Sequence, residues 1–134
     1  MDRRTFLLNS TVTATIATLG STAQASTEIS LPPENLIFTE EHTGKWRSKK
    51  GTHMPHIEVT GSMIKISTDH GQSKKHHIVR HTLLLEDGTM VGAKTFTFND
   101  APISEYALPA GYRGKIYATS FCNQHDLWLA ETTL

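Results

Sequence analysis

From about residue 56 to the end of the chain, apolar side chains recur in short runs with polar residues between them. Ile57 and Val59 stand before a turn at Gly61-Ser62, and Met63, Ile64 and Ile66 follow it. A second run covers Ile78 to Leu85, and Asp87-Gly88 behind it is a strong hairpin signal. Met90 to Phe98, where Thr alternates with Phe, supplies the returning strand, and Ile103 to Leu108 is a shorter candidate. Pro109 to Gly114 reads as a loop, and Lys115 to Phe121 and Leu127 to Thr133 finish the chain. No stretch of convincing length repeats at helical period. Short strands at near-regular spacing predict an all-β fold, an immunoglobulin-like antiparallel β-sandwich.

The first 25 residues have a different pattern and are expected to be an address. Arg3-Arg4 followed by Phe6-Leu7-Leu8 matches the twin-arginine export signal. A weakly apolar stretch rich in Thr and Ala follows, and Ala23-Gln24-Ala25 is a small-x-small cleavage site. The stretch is too short and too polar to span a bilayer. The expected layout is a signal peptide over residues 1–25 and one domain over residues 26–134, located in the periplasm. Residues 26–36 form an irregular lead, since Pro32-Pro33 forbids a regular helix there.

Charge is balanced, with 13 basic and 13 acidic residues, which removes any global case for nucleic acid as a partner. Loss of the signal would leave a net charge of about −1. Attraction of an anion must therefore be local. Two features of composition stand out. The chain has eight histidines and a single cysteine, Cys122. A lone thiol in an oxidising compartment cannot pair within its own chain, so it calls for burial, intermolecular pairing or metal ligation.

Three motifs bear on that choice. Cys122-Asn123-Gln124-His125 places a thiol and an imidazole three residues apart in a turn between strands, a donor pair suited to zinc, copper or iron. His70 lies in a loop six residues before His76, which with His77 opens a strand. A regular strand sends His76 and His77 to opposite faces, so only one of them can face a given site. His53 precedes Pro55, which holds it in a loop before a strand. Each motif alone is also compatible with surface histidines or chance.

Together the motifs resemble the superoxide reductase family, in its small neelaredoxin-like class. The resemblance rests on His53-x-Pro55, the His70-to-His76 spacing with Ile78 after it, and Cys122-Asn123-x-His125-x-Leu127-Trp128, with Trp46 and Gly114 to Ala118 in support. It implies an immunoglobulin-like sandwich carrying one non-haem iron, with His53, His70, His76 and His125 as four imidazole ligands and Cys122 as the axial thiolate. Without further cysteines the chain resembles the one-iron class. The implied reaction is one-electron reduction of superoxide to peroxide, fed by an electron donor protein that the sequence does not identify. Relatives form dimers or tetramers, so a homo-oligomer is expected.

The resemblance also implies a lysine that guides the anion, and Lys75, directly before His76, is placed in that role. One departure concerns a Glu-Lys pair that many relatives carry before the first His. Here that pair is Gly51-Thr52, with Lys49 and Lys50 nearby as substitute charges. Two alternatives stand beside this reading: a cupredoxin-like electron carrier and a non-enzymatic metal-binding module. The first normally needs a methionine shortly after the Cys-x-x-His histidine, and residues 126–134 contain none.

Overall fold

The structure is a computed structural model that describes residues 33–134; the expected export segment lies outside them. Eight strands occur among the described residues: β1 (Ile37–Phe38), β2 (Pro55–Thr60), β3 (Met63–Thr68), β4 (Ile78–Leu85), β5 (Met90–Thr95), β6 (Ile103–Ala107), β7 (Lys115–Cys122) and β8 (Asp126–Thr133). They form a five-stranded sheet in the order β1-β8-β7-β4-β5 and a three-stranded sheet in the order β2-β3-β6. The two sheets pack face to face through alternate side chains. Ile64 and Ile66 of β3 meet Leu83 and Leu85 of β4 and Ile116 and Ala118 of β7 in one buried cluster. This is the expected sandwich, with period-two alternation placing the apolar row inward.

The turns follow local chemistry. Gly88 has φ 86°, a conformation that glycine adopts without steric cost, and the Asp87 carboxylate accepts the Thr89 N–H at 2.9 Å. Pro55 opens β2, where its missing N–H interrupts no ladder in the body of the sheet. After Thr95 the chain leaves the sheet: Phe96 turns into the core, and the Asp100 carboxylate accepts both the N–H and the hydroxyl of Thr97. The strand expected to run to Phe98 therefore stops earlier.

Two features depart from the expected pattern. A 3-10 helix (Gly44–Lys49) leads into one helical turn, α1 (Lys50–His53). The segment is polar and too short to show a helical period. β1 pairs parallel to β8, although every other pair is antiparallel. It puts Phe38 opposite Trp128, and the two fully buried rings sit 5.4 Å apart. Trp128 also stands 6.0 Å from the ring of His53, the last residue of that helical turn.

Candidate metal centre

The three sequence motifs meet at one end of the sandwich. α1 delivers His53, the segment after β3 delivers His70, the segment before β4 delivers His76, and β7 with its turn into β8 delivers Cys122 and His125. One donor atom from each of His53, His70, His76 and Cys122 lies within 4.8 Å of the others. His125 joins them, with Nδ1 at 3.0 Å from His76 Nε2 and 3.6 Å from Cys122 Sγ.

The four imidazoles form a closed ring of nearly equal sides. Ring centroids are 4.7 Å apart for His53–His70, 4.5 Å for His70–His76, 4.7 Å for His76–His125 and 4.7 Å for His125–His53. Successive rings are steeply inclined, at 65–84°, whereas His53 and His76, on a diagonal at 5.8 Å, are inclined by only 23°. Cys122 is fully buried and closes the arrangement from the protein side.

Hydrogen bonds decide which nitrogen His53 and His70 offer. His53 Nδ1 lies 3.0 Å from the Lys49 carbonyl, which can only accept, so Nδ1 carries the proton. Nε2 is then a lone pair, and it is buried without a partner. At His70, Nδ1 lies 3.2 Å from Gln72 Oε1. The Gln72 amide is oriented by Ile78, whose N–H donates to Oε1 at 2.7 Å and whose carbonyl accepts from Nε2 at 3.2 Å. His70 Nδ1 therefore donates, and its Nε2 faces the cluster as a second lone pair.

His76 is bracketed by Asn123. The Asn123 side chain accepts the His77 N–H at 3.1 Å and donates to the Lys75 carbonyl at 3.1 Å, gripping the residues on either side of His76. The Cys122 thiol is pushed up by burial and pulled the other way by hydrogen bonds from the backbone N–H groups of Gln124 and His125. The N–H of Asn123 goes instead to the His77 carbonyl, at 3.2 Å. Around His125, Trp128 Nε1 donates to its carbonyl at 2.9 Å and Trp46 stands edge-on at 4.6 Å. Trp46 Nε1 in turn donates to the Asp126 carboxylate at 2.9 Å, and Asp126 closes the turn at φ 65°.

Burial holds all four rings neutral near pH 7. It pushes His53 down to about 4, and it is the leading cause of the lowered values at His70, His76 and His125. The charge of Lys49 adds to the lowering at His76 and His125 and opposes the rise at Cys122. Lys49 makes no ion pair among the described residues, whereas Lys50 pairs with Glu40 at 2.9 Å and Lys45 with Asp126 at 3.4 Å. The Lys75 side chain is exposed, and its carbonyl is held by Asn123 and Gln124.

Neutral imidazoles with converging lone pairs and a buried thiol fit a first-row transition metal. Metal–nitrogen bonds of about 2.1 Å at right angles put neighbouring nitrogens about 3.0 Å apart. The two nitrogen–nitrogen separations at His76 are 3.1 Å to His70 and 3.0 Å to His125. A single N–H on His76 Nε2 could bond only one of these two neighbours, whereas a shared cation satisfies all three nitrogens at once. Four imidazoles exceed the two of a blue-copper site, and no methionine follows His125.

The sequence profile described as desulfoferrodoxin matches residues 43–131, a span that includes all five donors. The chain belongs to the desulfoferrodoxin family. Within it, the chain is 31% identical over 107 residues to the superoxide reductase of Pyrococcus abyssi, covering 69% of this chain and 93% of the relative. It is 30% identical over 125 residues to that of Pyrococcus furiosus, covering 74% and 99%. Among solved structures, the superoxide reductase (neelaredoxin) E23A from Ignicoccus hospitalis superposes with a TM-score of 0.67 at 28% identity, covering 78% of this chain and 98% of that one. This agrees with the resemblance read from the motifs. What the motifs alone did not reveal was the supporting set: Gln72 at His70, Asn123 around His76, and Trp46 with Asp126 at His125.

Proposed function

We propose that the chain is a superoxide reductase, which converts superoxide to hydrogen peroxide with one electron and two protons at a mononuclear iron held by His53, His70, His76, His125 and Cys122. The observation that supports this reading best is the ring of four imidazoles with a buried thiol beside it. Iron held there would supply the electron by passing from its ferrous to its ferric state. The residues supply the rest. The fixed tautomers of His53 and His70 present lone pairs with no proton to displace, and neutral rings favour the lower oxidation state. Backbone N–H groups of Gln124 and His125 moderate the electron donation of the Cys122 sulfur. These five donors would hold the iron and leave it able to take up the substrate. Lys49, whose charge acts on His76, His125 and Cys122, draws the anion toward the cluster. Lys75 is the alternative for this role, and the two are separated by mutation below.

The reading extends to the cell. Residues 1–25 are proposed to direct twin-arginine export to the periplasm, where an external donor protein would reduce the iron after each turnover. A homo-oligomer is proposed as well. No helix among the described residues is long and apolar enough to cross a membrane. The test is to load the chain with ferrous iron and deliver superoxide by pulse radiolysis. Oxidation of the iron in proportion to superoxide, with peroxide formed, is expected. The ferric protein should show a thiolate-to-iron charge-transfer band that Cys122→Ser abolishes. Absence of any reaction with superoxide would overturn the proposal.

A further inference from the structure

One fully buried histidine takes no part in the site. His81 of β4 is 0% exposed and hydrogen-bonded at both nitrogens, to Ser104 Oγ at 2.9 Å and to Thr68 Oγ1 at 2.8 Å. Thr68 continues the chain to Ser120 Oγ at 2.9 Å. All four side chains are buried, at 0–4% exposure. His81 and Ser120 are register partners in the five-stranded sheet, whereas Thr68 and Ser104 belong to the three-stranded one. The chain of hydrogen bonds therefore crosses the sandwich.

Its place along the strands matters. Thr68 pairs with Pro55 across β2 and β3. Three of the five donors then lie two residues beyond this layer: His53 before Pro55, His70 after Thr68, and Cys122 after Ser120. Two residues of extended chain reach at most about 7 Å, so the layer lies within that distance of three donors along the backbone. An apolar contact between sheets tolerates small sliding. Directional bonds among desolvated groups accept one arrangement, because any other leaves a buried hydroxyl or ring nitrogen unpaired. The neutral ring suits this, offering one donor and one acceptor, so all three bonds can run in a single direction.

We infer that the Ser104–His81–Thr68–Ser120 chain fixes the register between the sheets at which His53 and His70, on the segments that enter β2 and leave β3, stand opposite Cys122 of β7, making Thr68 and His81 positioning residues for the iron ligands. The inference rests on the ligand set proposed above. Other features of the chain carry less. Tyr106 packs its ring on Gly92, where an added Cβ would lie 2.5 Å from the ring, and this contact joins the sheets far from the donors.

The test compares ferrous- and ferric-loaded full chain carrying Thr68→Val, His81→Gln, Ser104→Ala or Leu85→Ala. Thr68→Val keeps the side-chain shape and removes both of its hydrogen bonds. Leu85→Ala is a control that destabilises the same core at the opposite end of β4. The readouts are iron release to a chelator and the position of the charge-transfer band. Thr68→Val is expected to release iron about 10-fold faster and to shift the band, in line with the usual effect of losing a supporting partner. His81→Gln, which can bond on both sides, should recover most of the wild-type behaviour, and Leu85→Ala should lower the melting temperature with the band unchanged. If Thr68→Val keeps wild-type release and band, or only matches Leu85→Ala, the inference is overturned. Should Thr68→Val not fold, Ser104→Ala carries the test on the same terms. A wild-type chain with no Cys122-dependent band would instead refute the ligand reading itself.

Discussion

His81 should make the iron-free protein sensitive to mild acid, by an amount the structure sets. Its ring is fully buried among Thr68, Ser104 and the edge-on ring of Phe96, which is 4.8 Å away. Burial, aided by the charge of Lys94, pushes it from 6.5 down to about 4. Between these values the unfolded chain binds a proton that the folded chain refuses. Stability from this residue is thus complete above about pH 7, falls as the pH drops through 6.5, and levels off below about 4. The full loss is about 3 kcal/mol, of which about 2 kcal/mol has gone by pH 5. The perturbation is His81→Gln, which cannot titrate and keeps a donor and an acceptor. Urea unfolding of both proteins without iron, at pH 7.5 and pH 5, isolates the term, because the histidines of the metal centre contribute equally to each. The wild-type midpoint should drop further than that of the variant by about 1–2 M, for slopes of 1–2 kcal/mol per M. If the two midpoints fall in parallel, His81 is not held neutral by burial and the reasoning fails.

The remaining predictions concern the metal centre. Lys49→Gln should slow the second-order reaction with superoxide several-fold and weaken its dependence on ionic strength, while Lys75→Gln leaves both unchanged; pulse radiolysis at two salt concentrations separates them. Asn123→Ala frees both neighbours of His76 and should lower iron affinity about 10-fold in chelator competition, with little change in melting temperature of the iron-free chain. Trp46→Phe keeps a ring edge near His125 but removes the bond to Asp126, so it should destabilise the fold by about 1 kcal/mol and preserve the charge-transfer band.

The sandwich was legible because alternation marks strands that are half buried. Ile64 and Ile66, or Ile116 and Ala118, point inward as period two requires. The donors were legible because a Cys-x-x-His pair and histidines at fixed spacing resemble a known family. The helical turn that carries His53 was hidden, since Lys49 to Thr52 has no apolar rhythm and is held by bonds to its own carbonyls. β1 was hidden for a different reason. Two residues in a proline-led segment carry no period, and their pairing with β8 depends on Trp128, 90 residues away in sequence from Phe38.

The most instructive omission is His81 itself. Counting alternately from Ile78 puts Arg80, Thr82 and Leu84 inward, whereas counting back from Leu85 puts Leu83, His81 and Val79 inward. Both counts are partly right, because the pairing of β4 with β7 shifts register between Ile78 and Arg80. Ile78, His81, Leu83 and Leu85 are all buried, and Arg80 is exposed. A bulge of this kind adds a residue and re-aims the side chains beyond it, and such bulges gather beside functional sites. Here it lets one strand serve two layers of opposite parity. On one side His81 holds the cross-sheet chain of hydrogen bonds. On the other Ile78 packs against Cys122 and, through its backbone, orients the Gln72 amide that sets the tautomer of His70. Without the bulge, the row that buries His81 would point Ile78 away from Cys122. The break in periodicity that concealed His81 is thus the same feature that allows β4 to support the metal centre and the core together.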